Sequence, residues 1–474
     1  MTSHILPNGL RYTAEAGYLD LLEDGPSSGV AQSPRVTARI FTTAYLAEVS
    51  DQERVQRPVI FVFNGGPGSA SVWLHLGLFG PRRVDNSAGD KPFSQPYRLV
   101  DNLETPLRYA DLVLIDPVDT GYSRAAEGSP ADLYHGVDED VQAISQVIRL
   151  WTTRRDRWAS PLYLAGESYG VLRGTKIAAE LSVRHGLYLA GLILISSTLG
   201  GDGMKFAPGA ILSTPAFLPT YAAVAHYHGF HPGKTLAEVV AEAEDYASGD
   251  LLRVLARGHR LPRSERDEAI AKLSRLTGLG ARYLDATNLK VDKRRFYAEL
   301  LRDRGLTVGE IDGRFTGWNP DRAGEVAQHD PTDQAIRGAF GSGINHYLRH
   351  ELGYKNDLPY ELITDRVQPW RGPKNHFLGF DSVGALSTAL RVNAHLRVQY
   401  HLGYYDVCTP YWGAETDLAQ LEVPRGELRR IEVVHYEAGH MIYLDETSRL
   451  KELADIERFV TGLGSPRDVT EPTP

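Results

Sequence analysis

The chain has a single cysteine, Cys408, among 474 residues, which rules out an intramolecular disulfide and argues for a reducing compartment. It lacks any apolar run near the roughly eighteen residues needed to cross a bilayer. It also lacks a basic excess: 51 lysines and arginines face 60 acidic residues, a net charge of −9. The short pairs Arg82-Arg83 and Arg294-Arg295 form no stripe, so general affinity for nucleic acid or an anionic membrane is not expected. Residues Met1 to Gly9 show no charged leader, apolar core or small-residue cleavage site, and a cytoplasmic location is the expectation. No repeat or low-complexity segment is evident. His226 and His228 would diverge on a helix, so neither a metal nor another cofactor is expected. With 42% hydrophobic and 23% charged residues, this is a globular chain able to bury a large core.

What is present is a nucleophile pattern in context. Gly166-Glu167-Ser168-Tyr169-Gly170 follows the apolar run Leu162-Tyr163-Leu164-Ala165 and precedes a helix-like stretch from Val171 to Leu181. That order reads as strand, sharp turn and helix, in which a serine is exposed on a strained elbow and flanking glycines avoid collisions. A second match, Gly25-Pro26-Ser27-Ser28-Gly29, has a proline beside its serine and no helical pattern after it, and reads as a surface turn.

A serine hydroxyl is protonated at neutral pH and needs a histidine base, which needs an acid to orient it. Downstream, a strand-like run from Leu396 to Leu402 leads into Gly403-Tyr404-Tyr405-Asp406, and another from Ile431 to Tyr436 leads into Gly439-His440-Met441. Asp406 is the candidate acid and His440 the candidate base. Serine, acid and histidine then occur in the order expected of this elbow, each at a strand end. The buried run Val59 to Phe63 opens into Asn64-Gly65-Gly66-Pro67-Gly68-Ser69. Glycines there let backbone N–H groups approach a reacting carbonyl, so Gly66 and Tyr169 are the candidate oxyanion donors. A phosphate-binding loop is disfavoured, because no Gly-Lys-Ser/Thr follows and Pro67 removes an N–H.

These blocks, with Gly80-Pro81 and Asp116-Pro117-Val118-Asp119-Thr120-Gly121-Tyr122-Ser123, resemble the serine carboxypeptidases, peptidase family S10 of the α/β-hydrolase fold. A prokaryotic-type member is the expectation. The resemblance implies that Asn64, Gly65 and Glu167 bind the substrate, with Asn64 and Glu167 on its terminal carboxylate and Met441 on the leaving-group side. Two carboxylates in contact cannot both ionise cheaply, so Glu167 should be protonated and hydrolysis of free acids should favour acidic pH. Three departures stand out. Leu78 occupies the place of a second glutamate that pairs with the elbow glutamate in eukaryotic members; His75, Arg82 or Arg83 are candidate replacement donors, though the arginines read first as solvated surface charges. Asp119 stands where the family usually has glycine, and Ser69 where a cysteine often follows the glycine loop.

The 237 residues between Ser168 and Asp406 exceed what a doubly wound sheet needs to connect them, so something is inserted. The sequence predicts an α/β-hydrolase fold, a doubly wound and mostly parallel sheet with a large inserted helical cap. Its core would comprise residues 1–200 and 386–464, the cap 201–385, and a tail 465–474. Helical periodicity is clearest at Leu236 to Tyr246, Glu265 to Leu276 and Arg294 to Arg304. Tyr, Trp and Phe of the cap are expected to line the acyl side of the pocket. Cys408, two residues after Asp406, is close enough in sequence to line the pocket, but a buried inert thiol is the expectation.

The expected activity is removal of C-terminal residues from peptides through a Ser168 acyl-enzyme. An acyltransferase, esterase or amidase acting on a small metabolite would use the same triad and remains the alternative. A peptide or small acyl compound is the expected partner, and a homodimer is left open.

Overall fold

The computed structural model describes residues 1–23, 35–86, 93–130, 132–373 and 382–462. The Gly25 to Gly29 segment and the tail 465–474 lie outside the described residues. The main sheet is built from β1 (Thr2–Ile5), β2 (Arg11–Glu23), β3 (Arg35–Ala47), β4 (Val59–Phe63), β5 (Asp111–Ile115), β6 (Leu162–Glu167), β7 (Gly191–Ile195), β8 (Arg397–Gly403) and β9 (Ile431–Tyr436). Their spatial order is β1-β2-β3-β5-β4-β6-β7-β8-β9, with the short strand Arg124–Ala125 on β3. β1, β2 and β3 are antiparallel, as is the β3–β5 pair. From β5 to β9 every pairing is parallel. This is the α/β-hydrolase architecture, and the strand order reverses around β4, where ligands gather beyond the carboxyl ends of such sheets.

The central strands are fully buried, which is why they read as continuous apolar runs rather than alternating ones. Successive side chains still divide between the faces. Phe61, Leu164 and Leu194 join one core cluster, and Ile60, Ala165 and Ile193 the other. Helices Val137–Arg154 and Tyr169–His185 cover the first face.

Between β7 and β8 run the helices Ser213–Tyr227, Leu236–Ser248, Asp250–Arg257, Arg263–Thr277, Ala281–Ala286, Lys293–Glu299, Pro331–His346 and Ser382–Val392, with a small ladder of Leu306–Val308 on Thr316–Trp318. The helix read from Arg294 to Arg304 stops at Glu299 and continues as a tighter turn at Arg302–Arg304. The segment serves both sheet faces: Phe217, Val224 and Phe296 extend the first cluster, while Ile336, Phe340 and Ile344 extend the second. No helix among the described residues is long and apolar enough to cross a membrane.

Candidate active site

Ser168 lies between β6 and the helix Tyr169–His185 with φ 60° and ψ −129°. An L-residue holds that conformation only where its surroundings over-determine it. Here the Ser168 N–H donates to Ile195 O at 2.9 Å. A Cβ on Gly166 would overlap the Gly170 carbonyl, so β6 and its helix can meet only if glycine stands there.

The glycine loop packs on this elbow. A Cβ on Gly65 would overlap the Tyr169 backbone nitrogen, and Gly66 takes φ +103°, a left-handed value that favours glycine. Tyr169 opens its helix, so its N–H has no acceptor within the helix. Among the described residues neither the Gly66 nor the Tyr169 N–H donates to a backbone acceptor. Arg173, one turn into the helix, locks the two parts together. It donates to Asp140 Oδ2 at 2.7 Å and to Asn64 O at 2.6 Å, and lies over the Phe63 and Tyr169 rings. From outside, residues 361–371 brace the loop, since Ala70 N donates to Leu362 O and Thr364 N to Gly68 O.

Asp406 and His440 meet although 34 positions separate them. The His440 Nδ1–Asp406 Oδ2 distance is 2.8 Å, and Asp406 is 1% exposed. A carboxylate only accepts, so Nδ1 carries the proton and the neutral ring presents a bare Nε2. Thr409 completes the acid's shell. Its N–H reaches Asp406 Oδ1 at 2.8 Å, its hydroxyl donates to Oδ2 at 2.7 Å, and the same hydroxyl lies 3.2 Å from His440 Nδ1. Burial pulls the imidazole down, but the Asp406 charge and hydrogen bond outweigh it and the net shift is upward. Gly439 N donates to Asp312 Oδ2, and His440 N to Ile311 O, so the inserted segment also fixes the histidine loop.

Glu167 is 2% exposed. The Asn64 amide donates to its Oε2, and the Tyr443 hydroxyl to the same oxygen at 2.9 Å. Asn64 Oδ1 in turn accepts from Leu74 N at 3.0 Å. Burial raises the carboxyl to about 7 against the opposing effects of His440, Tyr443 and Asn64. Leu78 is fully buried and supplies no polar group. The candidate replacement donors named from sequence have other partners. His75 pairs with Tyr45, Arg82 with Asp101 and Glu351, and Arg83 with Asn86 and Glu446. Each is held by its own partners, and it is Tyr443 that pairs with Glu167. Asp119 has φ 66°, the backbone that a glycine would adopt freely, and its carboxylate is held by His135 Nε2 at 2.7 Å. Ser69 accepts from the Trp73 indole at 2.9 Å.

A cavity of about 410 Å³ opens over Ser168, walled by Gly66, Tyr169, Leu172, Met204, Cys408 and Thr409 among others. Asn64, Gly65, Glu167 and Met441 are not in its wall, and Met441 is buried in the second core cluster. The expectation of cap aromatics in the wall fails among the described residues, where the inserted segment contributes Met204, Lys205 and Lys293 instead. Some of its aromatics pack inside its own core, with Tyr221 stacked on Phe296 at 3.9 Å and Phe217 on Tyr221, while Phe340 packs on Trp73 and Trp370 lies edge-on to the Tyr169 ring. Burial pushes the Cys408 thiol up, which keeps it protonated. Asp406, Cys408 and His440 offer ligand-type atoms within 4.8 Å of one another, but both Asp406 oxygens are already engaged.

Comparison with known proteins places these features. A family model described as serine carboxypeptidase matches residues 37–199, which include the glycine loop and the elbow. Among solved structures, the chain is similar to Kex1(delta)p, a prohormone-processing carboxypeptidase from Saccharomyces cerevisiae. That match has 13% identity and a TM-score of 0.56, covering 96% of this chain and 92% of that one. It is also similar to a thermostable carboxyl esterase from Bacillus coagulans, at 12% identity and TM-score 0.39, covering 94% and 98%. A proline iminopeptidase from Mycobacterium smegmatis matches at 12% identity and TM-score 0.37, covering 93% and 99%. No curated protein matches the sequence.

Proposed function

We propose that the protein is a serine carboxypeptidase-like hydrolase that releases C-terminal residues from peptides through an acyl-enzyme on Ser168. The observation that carries this reading is the buried Glu167 carboxyl, raised to about 7 and held by Asn64 and Tyr443 one residue from the elbow serine. The family-model match supports it. A protonated Glu167 can donate to a substrate carboxylate, and Asn64 adds a second donor.

In this reading Ser168 Oγ attacks the scissile carbonyl carbon while its proton passes to His440 Nε2. The N–H groups of Gly66 and Tyr169 take the oxyanion, and Asp406 stabilises the imidazolium through Nδ1–H. Collapse breaks the C–N bond, and His440 gives its proton to the departing amine. Water then attacks the ester carbonyl, its proton passes to His440, and the C–Oγ bond breaks as Oγ is reprotonated.

Buried, apolar Leu78 favours one second reading, because it leaves the carboxylate site with a single acid. An esterase, amidase or acyltransferase would use the same triad on acyl groups lacking a free carboxylate.

Matched N-blocked dipeptides, as free acids and as C-terminal amides, separate the two. The preference for free acids over amides should be greatest at pH 5 and should fall as pH rises through about 7, where Glu167 loses its proton, because both substrates share the same dependence on His440. Ester hydrolysis should instead rise with pH as His440 is deprotonated, at a pH above the ordinary imidazole range. Parallel profiles, or amides cleaved as fast as acids, would contradict the carboxypeptidase reading.

A further inference from the structure

The cavity over Ser168 does not end at the nucleophile. A second cavity of about 510 Å³ adjoins it, and the two share Gly200, Gly201 and Lys205 in their walls. Each falls within the range of roughly 300–1,000 Å³ in which proteins enclose drug-sized ligands. The second is walled by Leu212, Pro215, Ala216, Leu252, Val383 and Trp412. Its polar members Ser248, Thr416 and Gln420 are exposed, which places them at the rim.

The charges at this boundary are already paired. Lys205 Nζ lies 2.9 Å from Asp202 Oδ1, with both side chains exposed. Asp417 Oδ2 accepts from Leu199 N at 2.9 Å and Gly200 N at 2.6 Å. That carboxylate fixes the turn separating the two cavities. Among the described residues the second cavity is walled mainly by apolar surface, and Lys293 in the wall of the first is paired with Glu310 at 2.8 Å. Because Gly66 and Tyr169 border the first cavity while Asn64 and Glu167 do not, the space is offered to the acyl part of a substrate rather than to the departing residue.

We propose that the two cavities form one acyl-binding channel, and that the preferred substrates carry an extended apolar group on the acyl side of the scissile bond, reaching past Gly200-Gly201 to Leu252 and Trp412. The inference rests on the acyl-enzyme reading above and narrows its substrate class.

The test is a series of p-nitrophenyl acetate, hexanoate and decanoate, with Leu212→Glu and Leu252→Trp as channel variants. Leu212 is 47% exposed, so the first change sits at the mouth without disturbing the core. In the wild type kcat/KM should rise by roughly fourfold for each buried methylene until the channel is full. Both variants should lose about tenfold or more on decanoate while acetate changes less than about twofold. A flat chain-length series, or equal losses on acetate and decanoate, would overturn the proposal.

Calorimetric titration of Ser168→Ala with decanoate and acetate reads the channel without turnover. Decanoate should bind with a negative heat-capacity change, and Leu252→Trp in the same background should abolish that binding. Decanoate binding no tighter than acetate, or unaffected by Leu252→Trp, would overturn the channel. If no ester is hydrolysed but decanoate binds and Leu252→Trp blocks it, the channel stands and the acyl-enzyme reading fails.

Discussion

Ser168→Ala is expected to lower kcat on any substrate of this protein by about 10⁶-fold, with KM changed far less, and to abolish labelling by a fluorophosphonate. The size follows from the proposed mechanism, in which alanine removes the attacking atom and leaves His440 without a proton to take. What survives is binding and the Gly66 and Tyr169 donors, which in comparable sites retain about 10³–10⁴-fold over water. Because Ser168 is held at φ 60° and its N–H is bonded to Ile195 O, alanine meets the same backbone constraint, and the fold should be preserved. A variant retaining more than about a hundredth of wild-type kcat would mean that Ser168 is not the nucleophile.

Asp406→Asn should cost about 10⁴-fold in kcat at neutral pH. Asp406 accepts from His440 Nδ1 and from Thr409. An asparagine in its place can turn an N–H toward Nδ1, which favours the wrong tautomer and leaves no bare Nε2 to act as the base. It also removes the charge that outweighs burial in raising the imidazole. The pH dependence gives the argument its sign. Without the carboxylate the imidazole pKa should fall, so residual ester hydrolysis should reach its plateau at lower pH than in the wild type. A loss below about tenfold, with an unshifted profile, would mean that Asp406 does not orient the base.

Much of this site is legible in the sequence because its chemistry demands particular residue types at the ends of buried strands. Val59 to Phe63, Leu162 to Ala165 and Leu192 to Ile195 are apolar enough on both faces to mark central strands, and the glycines beyond two of them mark where backbone must approach backbone. Tyr443 was not legible. It reaches Glu167 across 276 positions, and its role depends on how the short turn Ile442–Leu444 packs, with the Tyr443 ring against Gly77. Thr409 and Arg173 are similar cases, a common hydroxyl and a common cation whose partners are set by tertiary contact. The aromatics of the inserted segment misled for the opposite reason. Their helical spacing is compatible with a pocket wall or with a core, and burial of Tyr221 on Phe296 is worth more than exposure to a cavity.

The most direct measurement is rapid acid quench of the wild-type protein with p-nitrophenyl hexanoate, followed by mass spectrometry of the peptide that contains Ser168. The account predicts a burst of p-nitrophenol close to one per protein molecule and a hexanoyl increment on Ser168, absent in Ser168→Ala. Turnover with no burst and no adduct on Ser168, or an adduct on another residue, would contradict it.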